Sequence, residues 1–173
     1  NGRRRQRQMC IRDRVMGSHK NAAAAYLKAR MATEIPVPTH GGVYITVKDS
    51  DKESIIPLAK SLKDMEFDLY ATRGTAAILR ERGGLEVNSA YRIAEQGSPD
   101  ALDLMRDGKI QLIINTPTNS GGAVLDGNMM RRLAVELNIP FVTTLSGATM
   151  EVQAVAEMIK GLPEPRSLTI GTV

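Results

Sequence analysis

Short apolar and β-branched runs recur along the chain, and between them the apolar spacing changes from alternation to a helical period. Val43–Val47 (VYITV), Phe67–Ala71 (FDLYA), Ile110–Asn115 (IQLIIN) and Pro140–Thr144 (PFVTT) read as strands, with a weaker one near Glu86–Tyr91. Ile110–Asn115 is almost wholly apolar, which predicts a central strand covered on both faces. The helical stretches carry start and stop signals. Residues 21–32 (NAAAAYLKARMA) are alanine-rich behind Asn21, a good N-cap. Residues 51–64 follow Ser50, with Glu53 at capping-box spacing and Ile55, Ile56, Ala59 and Leu62 as an apolar stripe. Pro57 should bend or delay that helix. Residues 74–82 end at Gly83-Gly84, where a helix stop belongs. A short helix near 99–107 ends at Gly108. Residues 127–138 follow Asp126 as N-cap and should bury Met129, Met130, Leu133 and Leu137. The last helix, 148–160, ends at Gly161.

Strand and helix alternate with short loops. This predicts a single three-layer, Rossmann-like α/β domain: about five parallel strands, helices on both faces, right-handed crossovers. The stretch EIPVPTHGG, with two prolines and two glycines, reads as a linker before that domain, which spans 41–162. Residues 163–173 form a C-terminal tail.

Charge changes the picture at one end only. The chain has a net charge of +4, yet residues 1–14 (NGRRRQRQMCIRDR) hold six arginines and one aspartate, a net +5. The other 159 residues are left at −1, so no domain-wide basic footprint for nucleic acid exists. The run QMCIRDR resembles translated sequencing-adapter sequence, and 1–14 is read as a non-native tail. Tryptophan is absent and aromatics are 3%, which leaves no base-stacking platform. No apolar run approaches the roughly 18 residues of a membrane span. The single cysteine, Cys10, is in the tail, and both histidines, His19 and His40, precede the first strand of the core. Disulfide, zinc and histidine chemistry inside the domain are thereby excluded, and a cytoplasmic protein with no membrane or nucleic-acid partner is expected.

In open parallel sheets ligands sit beyond the carboxyl ends of the strands, so the residues there matter most. Lys52 follows the first strand; Thr72, Arg73, Gly74 and Thr75 follow the second; Arg92 follows the third; Asn115 and Thr116 end the fourth. A Thr-x-Gly-Thr turn opening a helix offers hydroxyls, free N–H groups and the positive end of the helix dipole. Gly74 lets the backbone approach closely, and Lys52 and Arg92 add charge. The pattern predicts an anion pocket suited to a phosphate monoester, with Asn115 and Thr116 facing sugar or base.

Four segments, VYITVKDSDKESIIPLAKSL, FDLYATRGTA, IINTP and DGNMMRRLAVELNIPFVTTLSGA, together resemble the methylglyoxal-synthase-like domain. They are most similar to the version at the C-terminus of carbamoyl-phosphate synthase large subunits, and the resemblance runs from about Val15 to about Lys160. It implies that residues 15–40 are the end of a preceding ATP-binding synthetase domain plus a linker. It implies a regulatory rather than catalytic role: binding a nucleotide effector, UMP or IMP, and signalling to distant ATP sites. The family's effector residues fall on Lys52, Thr72, Thr75, Arg92, Asn115 and Thr116, while the family's histidine in the turn is Arg73 here. The family's ornithine-binding Tyr-Asp-Thr is Phe141-Val142-Thr143, so two polar ligands for ornithine are lost. The parent enzyme implied is a cytoplasmic, oligomeric, glutamine-hydrolysing ligase of pyrimidine and arginine biosynthesis. It would use ATP with Mg or Mn and a glutaminase small subunit; this stretch itself needs no cofactor or metal.

The alternative is methylglyoxal synthase, a lyase acting on dihydroxyacetone phosphate. Asp49, Asp100 and Asp126 stand at plausible carboxylate positions for it, but the position of its catalytic histidine is Ala123. The cyclohydrolase domain of purine synthesis has this fold too, and its Lys-Thr-Leu-His-Pro stretch is missing here.

Overall fold

The computed structural model describes residues 15–33, 35–95, 97–117 and 121–161. The tails at 1–14 and 163–173 lie outside the described residues, as does part of the loop after Pro117.

Five parallel strands form one sheet in the order β3-β2-β1-β4-β5. They are β1 (Gly42–Thr46), β2 (Asp68–Thr72), β3 (Asn88–Ala90), β4 (Ile110–Asn115) and β5 (Phe141–Val142). The helices are α1 (Ala22–Met31), α2 (Ile56–Asp64), α3 (Arg73–Glu81), α4 (Ala101–Arg106), α5 (Gly121–Glu136) and α6 (Leu145–Lys160). Alternation along β1 divides the core. Val43, Ile45 and Val47 point to one face and pack with α2, α3 and α6. Tyr44 points to the other and packs with α4 and α5. The predicted three-layer α/β fold is thus present. The backbone runs outward from β1 to β3, crosses back to β4 and continues outward to β5, so strand order reverses between β1 and β4. Right-handed crossovers then require helices on opposite faces for the two directions, as observed.

Several elements differ from the sequence reading for identifiable reasons. The helix expected over 51–64 is instead a 3-10 turn at Asp49–Asp51 followed by α2. The Ser50–Glu53 capping box does not form; Ser50 Oγ donates to Asp51 Oδ1. Pro57 stands in the first turn of α2, where its missing N–H leaves no bond unmade. α5 begins at Gly121, so Asp126 is inside the helix and is not its N-cap. Of the predicted stripe, Met130 is buried and Leu133 partly so, but Met129 and Leu137, the residue just after α5, are exposed at 47% and 43%. α6 starts at Leu145 behind Thr144, whose Oγ1 accepts the Gly147 N–H at 3.1 Å. α4 carries a capping box the sequence reading missed, with Asp100 and Asp103 accepting each other's backbone N–H. Strand β5 keeps only two of its five expected residues.

α1 lies against α6 and buries Ala23, Ala24 and Leu27. At the contact Glu151 of α6 is 1% exposed and accepts hydrogen bonds from Nε and Nη2 of Arg30, the Nε–H shared between its two oxygens, plus one from the Tyr26 hydroxyl at 2.8 Å. Burial first, and the hydrogen bond to the Glu151 carboxylate second, push the Tyr26 hydroxyl up to about 12. Burial likewise raises that of Tyr44. A neutral tyrosine favoured by the fold contributes stability that is complete below about pH 10, the unfolded value, and is lost as pH rises through the folded value. Stability should therefore decline between pH 10 and 12. Denaturant unfolding across that window should show a shallower decline in Tyr26→Phe than in the parent protein.

Candidate functional site

A cleft of about 640 Å³ opens at the carboxyl ends of β1, β2, β3 and β4, beside the point where strand order reverses. All eight residues singled out from the sequence line it: Lys52, Thr72, Arg73, Gly74, Thr75, Arg92, Asn115 and Thr116.

Each arrives there for a local reason. The 3-10 turn after β1 brings Lys52 round to the cleft, and its ammonium lies above Gly74. A Cβ at residue 74 would sit 3.3 Å from that nitrogen. At the β2–α3 junction Thr72 has the extended backbone of an N-cap, but its side chain makes no capping bond. Its hydroxyl instead donates to Thr75 Oγ1 at 3.3 Å. The first-turn N–H groups of α3 are therefore not satisfied by Thr72, and the residues that carry them, Arg73, Gly74 and Thr75, line the same cleft as Lys52. Thr75 is 1% exposed, which fixes its hydroxyl. Asn115 and Thr116 are buried at the end of β4, and Thr116 Oγ1 accepts the Lys48 N–H at 3.0 Å, tying the β1 and β4 ends together. A Cβ at Gly127 of α5 would stand 3.1 Å from Asn115 Nδ2, so only a small residue lets α5 approach Asn115 this closely.

Two of the cations already have carboxylate partners. Lys52 Nζ is 2.7 Å from Asp49 Oδ1, and this contact holds the Asp49 carboxyl below its ordinary range. Arg73 Nη2 is 2.7 Å from Glu95 Oε1, with 64% of the Arg73 side chain exposed. The Glu95 carboxyl is lowered by the N–H of Arg92 first and by Arg73 second. Arg73 is thus engaged at the rim rather than turned fully into the cleft.

The cleft wall also includes residues the sequence reading did not choose. Tyr44, Ile93, Glu95 and Met130 line it, as do Asp49 and Asp126, which the sequence suggested only for a lyase or, for Asp126, as a helix cap. Tyr44 was legible in principle: with Thr46 it carries a polar group on the side of β1 that faces away from Val43 and Ile45. A pocket with an ammonium, a helix N-terminus, two hydroxyls and a guanidinium can receive a small dianion, and the Tyr44–Met130 side leaves a partly apolar wall for the rest of a ligand. Among the described residues no group of His, Cys, Asp and Glu could hold a metal ion, and no helix is long and apolar enough to cross a membrane.

The profile of the MGS-like domain family matches residues 54–143, which run from just before α2 to just after β5 and take in most of this cleft. The chain belongs to the MGS-like domain family. Among curated proteins it is similar to the carbamoyl phosphate synthase large chain, C-terminal section, of Methanopyrus kandleri, at 44% identity over 84% of this chain and 26% of that protein. The corresponding section from Methanocaldococcus jannaschii is 41% identical over 85% of this chain and 24% of that protein. The carbamoyl phosphate synthase large chain of Methanothermobacter thermautotrophicus is 39% identical over 89% of this chain and 14% of that protein. This MGS-like chain therefore spans about a quarter or less of those relatives. Among solved structures, methylglyoxal synthase from Elizabethkingia anophelis superposes with a TM-score of 0.55 at 14% identity, covering 78% of this chain and 97% of that one. At that identity the likeness concerns the fold alone.

Proposed function

We propose that this MGS-like domain is the regulatory domain of a carbamoyl phosphate synthase large subunit and that its cleft binds a nucleoside monophosphate such as UMP or IMP. The observation that carries the reading is the convergence of Lys52, the Thr72–Thr75 helix start and Arg92 beside Asn115 and Thr116 in one cleft. The effector phosphate would sit on the first turn of α3 between Lys52 and Arg92. Its nucleoside would extend toward Asn115, Tyr44 and Met130. The kinship with the C-terminal sections of such large subunits supports the regulatory role. The ATP and metal sites, the glutamine chemistry with its small subunit, and the oligomer contacts of such a parent would lie mostly outside this sequence.

Binding would act by population shift, drawing the loops that carry Lys52, Thr72 and Arg92 toward one phosphate. Isothermal titration with UMP and with IMP tests the reading directly. Saturable binding of at least one, near one site per molecule, is expected; absence of binding by both would overturn it. The lyase alternative predicts methylglyoxal from dihydroxyacetone phosphate. No histidine is among the residues lining the cleft, and no turnover is expected.

A further inference from the structure

The family turn carries histidine where this protein has Arg73, and the structure shows what the arginine does. Its guanidinium is 2.7 Å from Glu95 Oε1 and lies over the Tyr91 ring, 5.5 Å from the centroid. The other oxygen of Glu95 accepts the Arg92 N–H at 3.2 Å. Gly97 also packs against the ring, so closely that a Cβ there would collide with it. The Tyr91 ring is therefore in contact with both the Arg73 guanidinium and the bare backbone of Gly97. The result is a closed set of contacts from the first residue of α3 to the segment Tyr91–Glu95, which carries Arg92.

We propose that Arg73 is a positioning residue: with Glu95 and Tyr91 it clasps the 91–95 segment to the start of α3 and so sets Arg92 over the cleft, rather than contacting the ligand itself. This rests on the nucleotide reading above and goes beyond it by assigning the arginine a different task from the other two cations. Geometry supports the division of labour. Arg73 spends its charge on a carboxylate and its flat face on an aromatic ring, the two partners for which a guanidinium is better suited than an ammonium or a neutral imidazole. Each contact is individually modest because the rim is open to solvent. Together they restrict one short segment, and restriction is what a ligand site gains from preorganisation.

The test uses UMP and IMP titrations of the protein together with amide hydrogen exchange of Arg92, Ile93 and Glu95 in the ligand-free state. Arg73→Ala should weaken binding about fivefold and raise exchange in the segment severalfold. Glu95→Gln should do the same, and the double variant should be no worse than either alone. Tyr91→Phe keeps the ring and should bind as the parent does, while Tyr91→Leu should resemble Arg73→Ala. Two results would overturn the proposal. One is weaker binding in Arg73→Ala with unchanged exchange, which makes Arg73 a direct ligand contact. The other is tighter binding in Glu95→Gln, which means that freeing Arg73 helps the anion. Failure of the parent protein to bind either nucleotide would bring down this inference and the nucleotide reading together, whereas binding by the parent with either overturning result would sink the clasp alone.

Discussion

Lys52→Ala should remove most of the heat stabilisation that a nucleoside monophosphate confers on the protein. The ammonium lies above Gly74 at the start of α3, 23% exposed, where a charged donor to phosphate is only partly screened. Hydrogen bonds to charged groups contribute about 1.5–3 kcal/mol, and loss of one near the middle of that range weakens affinity roughly 30-fold. Linkage converts this into a melting shift. Ligand at ~100 times its dissociation constant stabilises the parent by about 2.7 kcal/mol, which is roughly 5–10 °C for a domain of this size. At the same concentration the variant would gain only ~0.9 kcal/mol. Differential scanning fluorimetry with UMP and IMP measures both. An undiminished shift in Lys52→Ala would show that the nucleotide is held elsewhere. Thr75→Val is a second check, since it keeps the buried volume and removes one hydroxyl; a smaller loss of shift is expected.

Glu151→Ala should cost about 3 kcal/mol of stability without touching the cleft. The carboxylate is 1% exposed and receives Arg30 and Tyr26 across the α1–α6 contact. Removing it leaves the Arg30 guanidinium, 13% exposed, without its counter-charge, and breaking a buried pair from one side costs about 3–5 kcal/mol. The low end applies because Arg30 retains some access to water and a bond to Thr33 Oγ1 at 3.2 Å. Replacing both partners with apolar residues, Arg30→Met with Glu151→Leu, should recover most of the loss, because no charge is then stranded. Urea unfolding of the single and double variants decides this. A double variant as unstable as the single would mean that packing, not charge, holds α1 to α6.

How much of this could be read from the amino-acid sequence depends on the range over which each signal acts. Ile110–Asn115 was legible residue by residue, because a strand covered on both faces writes its burial into consecutive positions. The cleft residues were legible because topology delivers the end of every parallel strand to one edge. Features set by distant partners were not. Arg30 and Glu151 are separated by 121 positions, and nothing near either one announces the other. Arg73 could be assigned a charge but not a partner, since Glu95 reaches it only after β3 is laid beside β2. Local signals also misled where two of them competed. Ser50 and Glu53 have capping-box spacing, but Pro57 and the turn that carries Lys52 delay the helix beyond their reach. On α5 the predicted stripe took in both Met129 and Met130, which as neighbours stand about 100° apart on a helix, and only Met130 packs into the core while Met129 and Leu137 came out exposed.

The pairing of Lys52 with Asp49 has a consequence for how the cleft responds to ionic strength. A bare cluster of cations attracts a dianion strongly in dilute buffer and loses that attraction steeply as salt screens it. Here the competitor is built in and is itself exposed, so salt weakens the internal pair as well as the pull on the incoming phosphate. The two effects oppose each other. Nucleotide affinity should therefore vary less between dilute buffer and physiological salt than a count of Lys52, Arg73 and Arg92 would imply, leaving effector concentration as the main variable to which the cleft responds.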